Sequence, residues 1–110
     1  MASILDQSSG SFGAVANATN TMQLANGYAS MAVWGTFVGT IQLQARPAGI
    51  TGAPFQALTA TAPSGGAANI TAPGIWTFEA LPGDWEYQVA CTAYTSGTIN
   101  YAAQVASAGP

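Results

Sequence analysis

Apolar and polar residues alternate with a period of two from Gly74 to Tyr101, and this pattern constrains the fold more than any other feature of the chain. Such alternation is typical of β-strands with one buried face, and no helical stripe competes with it. The segment therefore predicts three antiparallel strands joined by two tight turns. The positions predicted to face the core are Trp76, Phe78, Ala80, Trp85, Tyr87, Val89, Cys91 and Tyr101.

The first of these turns is predicted at Leu81–Asp84, where Pro82-Gly83 would occupy the centre. Residue numbers paired across such a hairpin sum to 165. Glu79 would then lie directly opposite Glu86 on the outer face.

The second turn is predicted at Tyr94–Thr98, which fits a three-residue loop with a left-handed glycine at Gly97. This hairpin would place Cys91 opposite Tyr101. Both turns would then deliver their large apolar residues to the same face.

The residues before this segment also show the pattern of β-strands. Asn26-Gly27 is a strong hairpin signal between Thr21–Ala25 and Tyr28–Trp34. Thr36–Arg46 alternates again, and the residues predicted to point inward are Ile41, Leu43 and Ala45. Short strands with turn signals every 8 to 12 residues or so indicate an all-β fold. We predict an antiparallel β-sandwich, jelly-roll or immunoglobulin-like, of about seven or eight strands with an irregular N-terminal arm.

The first 18 residues keep no period and are rich in Ser, Gly and Ala. We predict an extended N-terminal arm over residues 1–18 and a β-sandwich domain over residues 19–107. The arm has two interpretations, a disordered tail or a segment that orders against a neighbouring subunit. Its apolar residues Ile4, Leu5 and Phe12 favour the second and are predicted interaction residues.

Charge is scarce in this chain. Charged residues make up 5 % of the 110 residues, with one Arg or Lys in total, no His and a net charge of −3. Phosphate and anionic lipid both need basic side chains, so nucleic acid and membrane are not expected partners. The N-terminus lacks the basic and apolar regions of a signal peptide, so we expect synthesis in a cytoplasm and export only within a larger particle. A surface with so little charge favours a protein packed against others.

The composition also limits the chemistry. Without His or Lys, a Ser-His or Cys-His nucleophile, an imidazole zinc site and Schiff-base chemistry are excluded. We predict no enzyme activity, no catalytic residue and no cofactor. Cys91 is the single cysteine, and the favoured interpretation is a small buried hydrophobe, with an intermolecular disulfide or a reactive thiol as alternatives.

Three carboxylates gather around the predicted first hairpin, namely Glu79, Asp84 and Glu86. They are candidate Ca²⁺ ligands, or a two-carboxylate glycosidase site. The simpler interpretation is a solvated pair, or one neutralised by Arg46 of the same or a neighbouring subunit.

Aromatic residues outside the predicted core offer a second kind of site. Tyr28 and Tyr94 are predicted to be exposed, as is Trp34 if its strand lies at the edge of a sheet, and the three could form a platform for a surface glycan. Packing or contact with another subunit is the favoured role for each of them.

Three segments of the chain carry a family resemblance: residues 34–44 (WGTFVGTIQLQ), 71–76 (TAPGIW) and 94–101 (YTSGTINY). Together they resemble small β-sandwich virion proteins of tailed bacteriophages. The likeness departs at residues 47–55, where PAGITGAPF replaces an Asp-Gly-Gly…Trp hairpin, and at residues 84–89. It contributes turn and strand motifs and no catalytic residue.

The resemblance implies a structural protein of the virion, in first place a capsid decoration or cement protein. Such a protein would bind the major capsid protein or other virion proteins. It would do so as a homo-oligomer, with a trimer favoured. The alternatives are a tail or head-fibre component, or a carbohydrate-binding β-sandwich on the virion surface.

Overall fold

A computed structural model describes residues 5–17, 22–50, 52–60 and 68–107. These residues form seven strands and no helix, which confirms the predicted all-β class. The strands are β1 (Leu5–Phe12), β2 (Ala16–Asn17), β3 (Met22–Trp34), β4 (Phe37–Pro47), β5 (Gln56–Ala57), β6 (Gly74–Gly97) and β7 (Ile99–Ser107).

The strands form two antiparallel four-stranded sheets packed face to face, as predicted for a β-sandwich. The first sheet has the order β1-β7-β3-β6 and uses the later part of β3 with the earlier part of β6. The second sheet contains the start of β3, the later part of β6, then β4 and β5. β2 extends this sheet by pairing with β6 at residues 90–91. β3 and β6 are therefore shared by both sheets.

The shared strands bend where the sequence predicted two hairpins. Asn26-Gly27 lies within β3 and Pro82-Gly83 lies within β6, so neither signal reverses the chain. Gly27 pairs with Leu81 while Ala25 pairs with Asp84, so β6 has an extra residue at this point. Extra residues of this kind bend a strand and increase its twist. The two predicted hairpins are wrong, because both signals mark a corner at which a paired ribbon passes from one sheet to the other.

The predicted second turn is also a passage between sheets. β6 ends at Gly97 in the second sheet, and β7 then pairs with β1 and β3 in the first. The predicted pairing of Cys91 with Tyr101 is therefore wrong. The predicted left-handed glycine is confirmed, since Gly97 has a φ of 88°.

A second passage, from β3 to β4, lies against this one. The N–H of Thr98 donates to the Thr36 carbonyl oxygen at 3.1 Å, and the Asn100 amide nitrogen donates to the Trp34 carbonyl oxygen at 3.3 Å. Gly35 has a φ of 113°, and a Cβ there would lie 2.6 Å from the Thr98 carbonyl oxygen. The two passages therefore pack backbone against backbone.

The core fills the space between the sheets. The inward positions predicted on β4 are confirmed, because Ile41, Leu43 and Ala45 are all buried. Most of the predicted inward positions on β6 and β7 are also buried, and Trp76 and Trp85 are partly buried against them. The alternation therefore predicted the inner faces correctly even where it predicted the wrong strand pairing.

Part of the predicted N-terminal arm belongs to the first sheet. Residues 5–12 form β1, which pairs antiparallel with β7 in an unbroken register. Phe12 is buried and stacks on Tyr101 with ring centroids 5.0 Å apart, so it packs within its own chain. Ile4 lies outside the described residues, and of Leu5 only the backbone is described.

Candidate functional site

The carboxylates do not form the cluster that the predicted hairpin implied. Glu86 pairs in register with Gln23 on one side and Arg46 on the other, and Asp84 pairs with Ala25. Glu79 lies in β6, and its side chain is outside the described residues. The predicted opposition of Glu79 and Glu86 is wrong because β6 continues through Pro82-Gly83.

Each described carboxylate has a nearby partner. Asp6 accepts hydrogen bonds from the backbone N–H groups of Gln7 at 2.9 Å and Gln23 at 3.1 Å. The side-chain amide nitrogen of Gln23 also donates to a carboxylate oxygen of Asp84 at 3.4 Å. Within the described ranges, no three His, Cys, Asp or Glu residues are grouped so that they could hold a metal ion. The contacts of Asp6 and Asp84 are thus hydrogen bonds within the fold.

The single basic side chain is used within the fold. Arg46 Nε lies 3.2 Å from Glu86 Oε1, and Arg46 donates a second hydrogen bond to the Ala53 carbonyl oxygen at 3.4 Å. Its guanidinium carbon also lies 4.4 Å from the centre of the Phe55 ring. The interpretation that Arg46 neutralises Glu86 within the same chain is therefore confirmed, and the guanidinium also holds the segment after β4 against the second sheet.

A row of amides runs across the outer face of the second sheet. Gln88 donates to Gln44 at 2.7 Å, Gln44 donates to Gln42 at 2.9 Å, and Gln42 donates to Asn69 at 2.5 Å. Gln88 is buried, so its hydrogen bond to Gln44 offsets the loss of water. Three amides of this row donate to their neighbours, so much of the hydrogen-bonding capacity of this face is used internally.

Two buried titratable side chains lie on the inner face of β6. Burial raises the pKa of the Cys91 thiol, whose sulfur donates to the Ala93 carbonyl oxygen at 3.3 Å. Burial also raises the pKa of Tyr87, whose hydroxyl has no hydrogen-bond partner among the described residues. A buried thiol with a raised pKa is a poor nucleophile, so the interpretation of Cys91 as a small buried hydrophobe is confirmed.

The outer face of the first sheet contrasts with that of the second. We call it the uncharged face, and its described side chains are Gln7, Ser9 and Ser11 of β1, Tyr28, Ser30, Ala32 and Trp34 of β3, Ile75 and Thr77 of β6, and Asn100, Ala102 and Gln104 of β7. None of these described side chains carries a charge; Glu79 follows Ile75 and Thr77 on β6 at the same two-residue spacing, but its side chain is outside the described residues. Small residues form its middle, where a shallow depression of about 280 Å³ lies against Ser9, Ser30, Ala32 and Ala102.

Three large apolar side chains stand out from the uncharged face. Ile75 is 72 % exposed, Tyr28 is 52 % exposed and Trp34 is 50 % exposed. Covering these three side chains would remove apolar area from water without burying any charged group among the described side chains of this face. This is the candidate interaction surface of the protein.

The predicted aromatic platform is not assembled. Tyr28 is exposed as predicted, and Trp34 is exposed although its strand lies between β7 and β6 and not at an edge. The two residues lie six positions apart on β3, which separates them by roughly 20 Å. Tyr94 is half-buried, packs against the core and donates its hydroxyl proton to the Gly97 carbonyl oxygen at 2.7 Å. The three residues therefore do not form one stacking surface for a sugar.

Sequence reasoning missed most of the uncharged face. It identified Tyr28 and Trp34 by their size, but it did not identify Ile75 or the small residues between the strands. A signal was present in β7, where Asn100, Ala102 and Gln104 alternate with buried residues and are all neutral. The face is formed by four strands from distant parts of the chain, so only their pairing order brings these positions together.

Comparison of this chain with protein-family models, with curated proteins and with solved structures found no match in any of the three. Among the described residues, no helix is long and apolar enough to cross a membrane.

Proposed function

We propose that this protein is a non-enzymatic structural component of a multi-copy protein assembly, which it contacts through the uncharged face. The observation that carries the proposal is the combination on one sheet face of neutral small residues with exposed Ile75, Tyr28 and Trp34. The resemblance in residues 34–101 narrows the proposal to a tailed-bacteriophage virion and, within it, to a capsid decoration or cement protein.

The chemistry of the uncharged face supports protein contact over other partners. Interface cores are poor in Lys, Glu and Asp and rich in aromatic residues, because burying an unpaired charge opposes association. The uncharged face shares the lack of charge over its described side chains and exposes two aromatic residues, Tyr28 and Trp34. A phosphate-bearing partner would need basic groups, and the one arginine is already held by Glu86.

The internal contacts of the polar side chains support the non-enzymatic part of the proposal. Asp6 and Glu86 accept hydrogen bonds from neighbouring groups of the fold, and the Cys91 thiol is buried. General acid-base or nucleophilic catalysis needs such groups aimed at a substrate. They bind other parts of the chain instead.

A cement role follows from mass action. A protein that binds the assembled shell and not its free subunits adds its binding free energy to the stability of the shell. The proposed partner is therefore the major capsid protein, bound in many copies at equivalent positions, and the proposed location is the virion.

The test uses tailed-phage capsids assembled without this protein. Purified protein is added, bound copies are counted by quantitative mass spectrometry, and the temperature of capsid opening is recorded. We expect saturation in fixed proportion to the major capsid subunits and a higher opening temperature. Saturation at only a few copies per particle would indicate a tail or fibre component instead, and an unchanged opening temperature would remove the cement role.

A matched pair of variants tests the surface itself. Ile75→Asp places a charge on the uncharged face, whereas Ile50→Asp places the same charge at another exposed isoleucine outside it. We expect Ile75→Asp to weaken capsid binding by about tenfold or more, because interface anchors contribute more than about 1 kcal/mol each. Ile50→Asp should bind like the wild type. Equal binding by both variants would contradict the assignment of this face.

A further inference from the structure

The chain leaves the second sheet after β4 and returns to it at β5, and the Arg46 side chain joins the intervening segment to the sheet. Its guanidinium donates to the Ala53 carbonyl oxygen at 3.4 Å and lies 4.4 Å from the centre of the Phe55 ring. The same guanidinium lies 3.2 Å from Glu86 of β6. We call residues 52–55, which contain both of these contacts, the strap.

The segment that contains the strap is anchored at both ends by backbone hydrogen bonds. Before the strap, the N–H of Ala48 donates to the Asp84 carbonyl oxygen at 3.0 Å. After it, β5 pairs with β4, and the N–H of Leu58 donates to a carbonyl oxygen of β4 at 2.9 Å. The contacts of Arg46 lie between these two anchors, so the strap can leave the sheet without breaking either of them.

The strap forms one wall of a mostly apolar cleft. The cleft has a volume of about 420 Å³, and Ala53 and Pro54 of the strap line it together with Ala45, Leu58 and Trp85. Ala45 is 5 % exposed, and Leu58 and Trp85 are partly buried against the core. The residue that accepts the hydrogen bond from Arg46 is therefore also part of the wall that closes the cleft.

We propose that the strap is a conformational device that Arg46 holds closed, and that it opens separately from the sandwich and uncovers the cleft at Ala45. The Arg46 and Glu86 side chains are 23 % and 19 % exposed, so salt can screen their attraction. Partly exposed ion pairs and cation–π contacts each stabilise a structure only weakly. A segment attached through such contacts opens far more often than the whole sandwich unfolds. This inference concerns a single copy of the chain and does not rest on the proposed function.

Thiol labelling measures the opening within one molecule. In an Ala45→Cys protein, the introduced thiol lies in the wall of the cleft, whereas native Cys91 is buried in the core and reports unfolding of the sandwich. We expect a maleimide to label position 45 about tenfold or more faster than Cys91. The rate at position 45 should depend little on low concentrations of urea, because local opening exposes little surface. Peptide mass spectrometry gives both rates.

Two substitutions in this background separate opening of the strap from loss of overall stability. Arg46→Met removes the attachment and should speed labelling at position 45 about tenfold. Val105→Ala creates a cavity under β7, away from the strap, so it should speed labelling of Cys91 and leave position 45 unchanged. Unchanged labelling at position 45 in Arg46→Met, or a parallel increase at both thiols in Val105→Ala, would overturn the inference.

Amide exchange followed by NMR tests the same device without an added thiol. The N–H of Ala53 donates to the Ile50 carbonyl oxygen at 3.1 Å, whereas the N–H of Leu58 is bonded to β4. In the unaltered protein, about 1 M salt should speed exchange at Ala53 several-fold and leave Leu58 unchanged. Glu86→Gln removes one charge of the ion pair and should have the same effect at low salt. Equal exchange at Ala53 in all three cases would contradict a strap held closed by charge.

Discussion

At the scale of single residues, several described polar side chains of this protein bind one another. Arg46 neutralises Glu86, and the amides of Gln88, Gln44 and Gln42 form a row in which each donates to the next side chain. The buried Tyr87 hydroxyl is the exception, because it has no partner among the described residues. A buried hydroxyl without a hydrogen bond opposes folding, since the unfolded chain bonds it to water.

This exception gives a prediction that reverses the usual effect of removing a tyrosine hydroxyl. Tyr87→Phe should leave the free energy of unfolding unchanged or raise it by up to about 1 kcal/mol. The matched control Tyr94→Phe loses the hydrogen bond to the Gly97 carbonyl oxygen and should be destabilised by about 1 kcal/mol. Urea denaturation at neutral pH measures both. Loss of stability in Tyr87→Phe equal to that in Tyr94→Phe would show that the Tyr87 hydroxyl has a partner.

The same variant should change the response to alkali. Burial raises the pKa of Tyr87 above its ordinary value of 10.0, so the unfolded chain loses this proton at a lower pH than the folded chain. The contribution of Tyr87 to stability is therefore complete below pH 10 and falls as the pH rises toward the pKa of the folded state. Tyr87→Phe should lack this part of the alkaline destabilisation, while the part due to Cys91 persists in both proteins.

At the scale of elements, the two passages between the sheets hold the sandwich together at one end. They join β3 to β4 and β6 to β7, and they contact each other through the bond from Thr98 N–H to the Thr36 carbonyl oxygen. Gly35 and Gly97 both have positive φ and both face the backbone of the opposite passage. Two of the three segments that carry the family resemblance, residues 34–44 and 94–101, contain these passages. The resemblance to the virion proteins therefore depends partly on the sequence motifs that form these two passages.

Three glycines separate the effect of backbone conformation from that of close approach. Gly97 has positive φ and lies against the Thr36 backbone, Gly49 has positive φ in open space, and Gly13 has open space with no positive φ. Substitution by Ala should lower the free energy of unfolding by about 3 kcal/mol or more at Gly97 and about 1 kcal/mol at Gly49. Gly13→Ala should have little effect.

Thermal unfolding of the three variants orders them. An equal shift at Gly97 and Gly49 would mean that the contact between the passages does not contribute to stability.

At the scale of the whole molecule, the few described charged groups are distributed unevenly between the two sheets. The second sheet carries the Arg46–Glu86 ion pair and the row of amides, whereas the uncharged face of the first sheet carries no charged group among its described side chains. The two outer faces of the sandwich thus differ in charge over their described side chains.

This division predicts how assembly depends on salt. Binding through the uncharged face displaces few counterions, so the affinity for the proposed capsid partner should change little between low and high salt. Titration at several salt concentrations, followed by light scattering, measures the slope. A steep loss of affinity with salt would show that charged groups dominate the contact and would contradict the assignment of this face.

The amino-acid sequence by itself determined the class of fold, the inner faces of β4, β6 and β7, the burial of Cys91 and the left-handed conformation of Gly97. These properties depend on local side-chain period and on the backbone freedom of single residues, which are present in the sequence.

Only the tertiary structure decided which strands pair. Asn26-Gly27 and Pro82-Gly83 permit a tight turn, but the same backbone freedom also permits a bend in a continuing strand, and the choice depends on partners far away in the chain. Residues 5–12 have few apolar side chains and become a strand because β7 offers them an edge and Tyr101 covers Gly10. The uncharged face arises from the same long-range pairing, since no local pattern places Ser9, Ala102, Ala32 and Ile75 side by side.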